Sequence, residues 1–221
     1  MPDPLFSLFV FFVIVGTVAA SFWPRKGLVS RLQRLAHLDE RTRLEDALKH
    51  LYTCHSADRQ TSLESLAGQL ETSRAHAATL LSRLTEMGLV SATTQGLTLT
   101  KDGLQSALRL VRTHRMWERY LADRTGVPAT EWHDEAERME HTLSPAEVDA
   151  LDTRLGHPPW DPHGDPIPSA TGDVPPIKGA PLIASDPGRT VEIIHLEDEP
   201  REIYDALLND CLLYTSDAAD E

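Results

Sequence analysis

The chain opens on an uninterrupted apolar run and then turns periodic. Leu5 to Trp23, LFSLFVFFVIVGTVAASFW, carries no charge over 19 residues, just enough to cross a hydrocarbon core as a helix. VAAS resembles a signal-peptide cleavage site, but the residues before the run hold Asp3 and no Lys or Arg, unlike a secretory leader. Basic residues follow, at Arg25, Lys26, Arg31 and Arg34, so the positive-inside rule places the remainder in the cytoplasm. The pattern predicts a retained transmembrane helix over 1–24 and a single-pass protein of the cytoplasmic membrane.

From Gly27 to Cys54 the apolar positions Leu35, Leu38, Leu44, Leu48 and Leu51 recur at helical steps between strong helix formers. A polar gap, His55 to Gln60, precedes Thr61 to Leu70, which begins with cap candidates and carries Leu63, Leu66 and Leu70 on one face. Ser73 can cap a second helix to Met87, with Ala77, Leu80, Leu81 and Leu84 facing inward and Gly88 at the left-handed stop. Leu89 to Ala92 and Leu97 to Thr100 flank Thr-Thr-Gln-Gly and read as a β-hairpin. Helix, turn, helix, hairpin, helix is the order of a winged helix-turn-helix, assigned here to 25–105. In such a fold the second helix of the pair enters a DNA major groove.

Beyond Gln105 the polar residues themselves become periodic. His114 and Glu118 stand four apart, and His133, Glu137, Glu140 and His141 fall at offsets 0, 4, 7 and 8. These spacings put imidazoles and carboxylates on one helix face. Thr125 to Thr130, with Gly126 and Pro128, reads as a break, so two helices can aim their stripes at one point. One such His/Glu pair is ordinarily surface decoration; six candidates in phase argue for a metal site. Nitrogen and carboxylate oxygen without sulfur favour Mn2+, Fe2+ or Zn2+ over Cu(I) or an iron-sulfur cluster. After Glu140, the apolar positions Leu143, Val148, Leu151 and Leu155 recur and call for a partner surface, which predicts a homodimer through this region.

Charge sharpens this division. Residues 24–104 carry 11 basic and 9 acidic groups and residues 129–221 carry 5 and 22, within a net charge of −13. A mildly basic front suits nucleic acid or a membrane surface, and an acidic back suits cations. Cys54 and Cys211 show neither metal-ligand spacing nor a disulfide framework. Nor is there an HExxH, a nucleophile elbow, a phosphate loop or a pair of Glu-x-x-His motifs, so an enzyme is not expected.

Several stretches together resemble the diphtheria toxin repressor and manganese transport regulator family of metal-dependent regulators. They are Leu70-Glu-Thr-Ser through Glu86-Met-Gly-Leu-Val90, Leu99-Thr-Lys-Asp-Gly103, Thr113-His-Arg-Met-Trp-Glu-Arg-Tyr-Leu121, His133-Asp-Glu-Ala-Glu-Arg-Met-Glu-His141 and Gly156-His-Pro-Pro-Trp-Asp-Pro-His-Gly-Asp-Pro-Ile-Pro168. The resemblance implies a mainly α fold with a small β wing: a winged helix, then a helical metal-binding and dimerisation domain (106–175), then an SH3-like domain, here truncated (176–210). It implies a primary metal site of Asp46, Glu137, Glu140 and His141 and an ancillary site of His114, Glu118 and His133, His114 belonging instead to a shared binuclear site in the manganese-sensing branch. DNA contact falls to Ser73, Arg74, His76, Thr79 and Arg83. Glu137 stands where the iron-sensing branch carries cysteine, and Lys49 where the manganese sensors place a second glutamate, so Mn2+ and Fe2+ both stay open as the cofactor.

The remaining segments qualify that picture. Phe22-Trp-Pro-Arg-Lys-Gly-Leu-Val-Ser-Arg31 resembles the end of the last membrane helix of metal ABC transporter permeases, some of which carry a regulator-like domain; Met1 then reads as an internal start. His157 and His163 lie in a Pro-rich turn; either could serve as a ligand, but a structural role is expected, with Thr190 to His195 a strand and Pro200 to Leu208 a short helix. Residues 211–221 match an in-frame sequencing-library adapter, so the native sequence is expected to end near Asp210. Two functions follow: a membrane-anchored, metal-activated dimeric repressor of metal-uptake genes on a palindromic double-stranded DNA operator, or a cytoplasmic metal-sensing module of a metal ABC transporter permease, working with transporter subunits and not necessarily binding DNA.

Overall fold

Three hydroxyl caps divide the N-terminal half into its elements. Ser62, Ser73 and Thr100 sit in extended backbone and accept hydrogen bonds from the N–H groups of Ser65, His76 and Gly103, satisfying donors that the first helical turn leaves unpaired. They open α2 (Leu63–Gln69), α3 (Arg74–Glu86) and α4 (Lys101–Arg124), behind the long α1 (Leu28–Ser56). Gly88, at φ 72°, stops α3. The chain then enters β1 (Val90–Thr93), which pairs antiparallel with β2 (Gly96–Leu99), Val90 opposite Leu99. Thr100 therefore caps α4 rather than ending the strand. In this computed structural model the described residues are 28–93, 96–176, 179–186, 188, 190–197 and 201–209, with Leu8 and Phe11.

The winged unit closes on one core: Ala47, Leu48 and Leu51 of α1, Leu66 of α2, Ala77 and Leu84 of α3, Val90 of β1 and Ala107 of α4. The start of α4 lies directly on the wing. The Thr100 hydroxyl donates to the Gly88 carbonyl at 2.7 Å, and a Cβ at Gly103 would overlap the Leu89 carbonyl. Glycine there lets α4 leave the wing in a fixed direction, and its far end carries the polar site.

Past a turn at Thr125, α5 (Ala129–Glu140) packs back along α4, and a capping box of Ser144 and Glu147 opens α6 (Pro145–Leu155). A second core joins Met116, Val148, Leu151 and Ile167, with Leu143 and Leu155 against it. Of the apolar stripe that called for a partner, Val148 and Leu151 are covered inside the chain, whereas Leu143 and Leu155 stay half-buried. Buried Arg112 bonds Asp149 and Asp152 of α6 at 2.8 and 2.9 Å, and Arg115 donates to the Pro166 carbonyl at 2.7 Å and to Asp165 at 3.0 Å. These guanidiniums tie α6 and the 156–168 segment to α4.

Two expectations are corrected. Thr190 to His195 forms no strand: β1 and β2 are the strands among the described residues, and the 190–197 segment is anchored through the Leu196 N–H on the His163 carbonyl at 2.9 Å. A strand needs a ladder partner, and none is described beside it. The helix α7 (Arg201–Asn209) follows, but no SH3-like sheet is described. The apolar Leu5–Trp23 run lies, save for Leu8 and Phe11, outside the described residues. Among the described residues no helix is long and apolar enough to cross a membrane; the longest, α1 and α4, carry Arg41, Arg43 and Lys49, and Arg109, Arg112, Arg115 and Arg119, which a hydrocarbon core does not accommodate cheaply. Residues 211–221 also lie outside the described residues.

Candidate metal centre

The polar stripes of α4 and α5 meet. His114 and Glu118, one turn apart on α4, are buried to 5% and 1% exposure, and His133 of α5 faces them, its ring centroid 4.9 Å from that of His114. One ligand atom from each lies within 4.8 Å of the others. Glu118 Oε1 is 3.2 Å from His114 Nε2, 3.7 Å from His133 Nδ1 and 3.6 Å from His163 Nε2. Burial works to raise the carboxyl, yet the hydrogen bond with His114 and the nearby imidazoles of His133 and His163 hold it well below the usual carboxylate range.

A second cluster forms where α5 ends against α1. Asp46, Glu140 and His141 also offer atoms within 4.8 Å of one another. His141 Nε2 lies 3.1 Å from Asp46 and 3.6 Å from Glu140, and its Nδ1 lies 2.7 Å from Glu45. Burial opposes its proton, but the hydrogen bonds of Asp46 and Glu45 and the charge of Glu140 push it up to about 9. Glu140 Oε2 accepts from Lys49 Nζ at 2.8 Å and lies 2.6 Å from His114 Nδ1, so this carboxylate joins the two clusters. Burial raises Glu140, and His114 and Lys49 together hold it below its ordinary value.

Of the seven ligands expected from sequence, six fall into two triads. Glu137 does not join Asp46, Glu140 and His141; it is more than half exposed and lies 3.5 Å from His133 Nε2, whose hydrogen bond brings it down to about 2. Sequence reasoning missed Glu45, whose signal was adjacency to Asp46. Of the two histidines in the Pro-rich turn, His163 is 6% exposed and faces Glu118, whereas His157 is exposed beside Asp152. Asp161, also buried, is raised to about 7 by burial and by the charges of Glu118 and Asp165.

The donor set fits a divalent cation. Buried carboxylates concentrated among imidazoles are costly without a compensating charge, and the sulfur-free set suits Mn2+ or Fe2+. A groove of about 480 Å³, lined by Glu45 and Glu140 among others, opens beside the Asp46 cluster. On the winged unit, Ser73, Arg74, His76, Thr79 and Arg83 are all exposed along α3. Ser73 is engaged as the α3 cap, Thr79 donates to the Ala75 carbonyl, Arg74 pairs with Glu64 at 3.1 Å, and Arg83 pairs with Glu40 of α1.

Comparison with known proteins bears on this arrangement. Residues 100–169 match the family described as "Iron dependent repressor, metal binding and dimerisation domain". The iron-dependent repressor IdeR of Mycobacterium leprae is 38% identical over 104 residues, 47% of this chain and 45% of that protein. A "Probable metal transport system membrane protein" of Chlamydia trachomatis is 41% identical over 88 residues, 40% of this chain and 20% of that protein. The chain thus spans less than half the length of these curated relatives. A solved manganese-dependent transcriptional repressor in complex with manganese superposes with a TM-score of 0.66 at 34% identity, over 75% of this chain and 77% of that one. Repressors of this kind are not enzymes. With such relatives and no described membrane-spanning helix, the single-pass placement in the cytoplasmic membrane is withdrawn. The chain belongs to the family of iron- and manganese-dependent transcriptional repressors that includes IdeR and the diphtheria toxin repressor.

Proposed function

We propose that this chain is a metal-dependent transcriptional regulator that, as a homodimer loaded with Mn2+ or Fe2+, binds a palindromic operator and represses metal-uptake genes. One observation carries the reading: His141 of the helical unit touches Glu45 and Asp46 of α1, the first helix of the winged unit. Asp46, Glu140 and His141, with Glu137 one turn away, are the primary ligand set, and His114, Glu118 and His133 the ancillary one. When bound, the ion supplies a charge that ligands from both units share. The protein's part is to hold α1 against the end of α5, which fixes the direction in which α3 is presented. In a dimer, that direction sets the spacing of the two recognition helices, and DNA half-sites tolerate only certain spacings. Arg74, His76, Thr79 and Arg83 are the exposed α3 side chains offered to bases and phosphates.

The test is enrichment from a random duplex pool at fixed salt. A two-fold symmetric sequence should be enriched with Mn2+ and not with chelator. A second reading has one observation behind it, the likeness to the Chlamydia protein, of which this module matches only 20%. There the clusters would report metal to an attached transport protein, and α3 would read no DNA. A pool that enriches nothing under either condition favours that reading.

A further inference from the structure

The connection between the two clusters passes through a lysine. Lys49 lies on α1 three residues after Asp46, so the same face supplies a carboxylate and a cation. Its ammonium donates to Glu140 Oε2 at 2.8 Å and lies 3.2 Å from His114 Nδ1. Those two atoms are 2.6 Å apart, so the ammonium sits against the junction of the triads. Glu140's side chain is 2% exposed and Lys49's 25%; a carboxylate so buried, without a cation, would be strongly destabilising. A divalent ion drawn to Glu140 meets a positive charge already in contact with the carboxylate it needs.

We propose that Lys49 is a built-in competitor of the metal: it neutralises Glu140 in the metal-free protein and must yield that carboxylate when an ion binds, so it sets how much metal the regulator requires. The inference rests on the metal-regulator reading above. It gives Lys49 opposite effects on two quantities. Lys49 stabilises the metal-free fold and weakens metal binding, whereas a merely structural lysine would support both.

The test uses the full chain with Mn2+ alone as the probe, titrated calorimetrically at fixed pH and salt, beside thermal melts in chelator. Lys49→Met should lower the metal-free melting temperature and tighten Mn2+ binding about tenfold or more, as expected from removing a like charge close to the ion. Lys49→Arg, which keeps the charge, should fall near the wild type. A second measurement needs no variant: acetylation of wild-type Lys49, read by mass spectrometry against exposed Lys101, should accelerate several-fold on Mn2+ loading as the ammonium is released. Looser or unchanged Mn2+ binding by a folded Lys49→Met chain, or unchanged Lys49 labelling, overturns the proposal while leaving the regulator reading intact. A wild-type chain that binds neither Mn2+ nor, under anaerobic conditions, Fe2+ overturns both.

Discussion

Both triads combine imidazole with carboxylate, two imidazoles and one carboxylate in the first and the reverse in the second, and the chain assembles them differently. His114, Glu118 and His133 come from two consecutive helices joined by a short turn, and Glu118 is sealed from solvent with three imidazoles around it. Asp46, Glu140 and His141 come from positions nearly a hundred residues apart, and the Asp46 side chain keeps 37% of its exposure. The first is a feature of one helical hairpin; the second exists only where the winged and helical units meet. On the proposed reading, a ligand at the hairpin triad would stiffen what is already local, whereas a ligand at the interfacial triad would couple two units and so bear on the direction of α3.

The largest effect that sharpens this contrast is expected at Glu118. Glu118→Ala removes the buried carboxylate that faces His114, His133 and His163, and urea unfolding of the metal-free protein should show a loss of about 3–5 kcal/mol. A loss below about 1 kcal/mol would mean the hairpin triad is not preformed. Arg115→Ala comes next. It releases the 156–168 segment from α4 and withdraws His163 from Glu118, at a cost of about 1–3 kcal/mol, with Mn2+ affinity at the Asp46 triad kept. Equal damage to both triads would break the comparison.

The third expectation concerns pH. His141 is raised from 6.5 to about 9, so the folded metal-free protein holds this proton more tightly than the unfolded chain. That contribution is complete below about pH 6.5 and is lost as pH rises through about 9. Metal-free stability should therefore fall between pH 7 and 9, while Mn2+ affinity rises across the same range because the ion no longer competes with the proton. His141→Ala should flatten the stability profile; an unchanged slope would assign it to other groups. The smallest effect belongs to Asp46. Being part-exposed, Asp46→Ala should change metal-free stability by less than about 1 kcal/mol, in contrast to Glu118.

Local signals made most of the fold legible. Ser73, Gly88 and the Leu48, Leu51, Leu66 and Leu84 positions act within a turn or two of themselves, so caps and periodicity suffice to place the winged unit. The hairpin triad was legible for the same reason, because its members sit one turn apart on helices with a readable break. The motif groups Glu137 with Glu140 and His141, while in this structure its side chain meets His133. Glu45, Lys49 and His163 reach the site across long stretches of chain, and no spacing rule encodes such contacts. The Thr190–His195 alternation has the strand pattern but lacks a described neighbour, which periodicity does not report.

The most direct test of the interfacial triad is DNA affinity at fixed salt, measured by fluorescence anisotropy on the enriched operator with Mn2+ and with chelator. For the wild type, Mn2+ should tighten binding by about 5- to 150-fold, the usual range of allosteric coupling. For Asp46→Ala, which removes α1's ligand to the shared ion and leaves α3 intact, the gain should shrink to within about twofold, with weak metal-free DNA binding unchanged. An Asp46→Ala chain that keeps the full Mn2+ response would contradict the account, because coupling would then run without the contact between α1 and the end of α5.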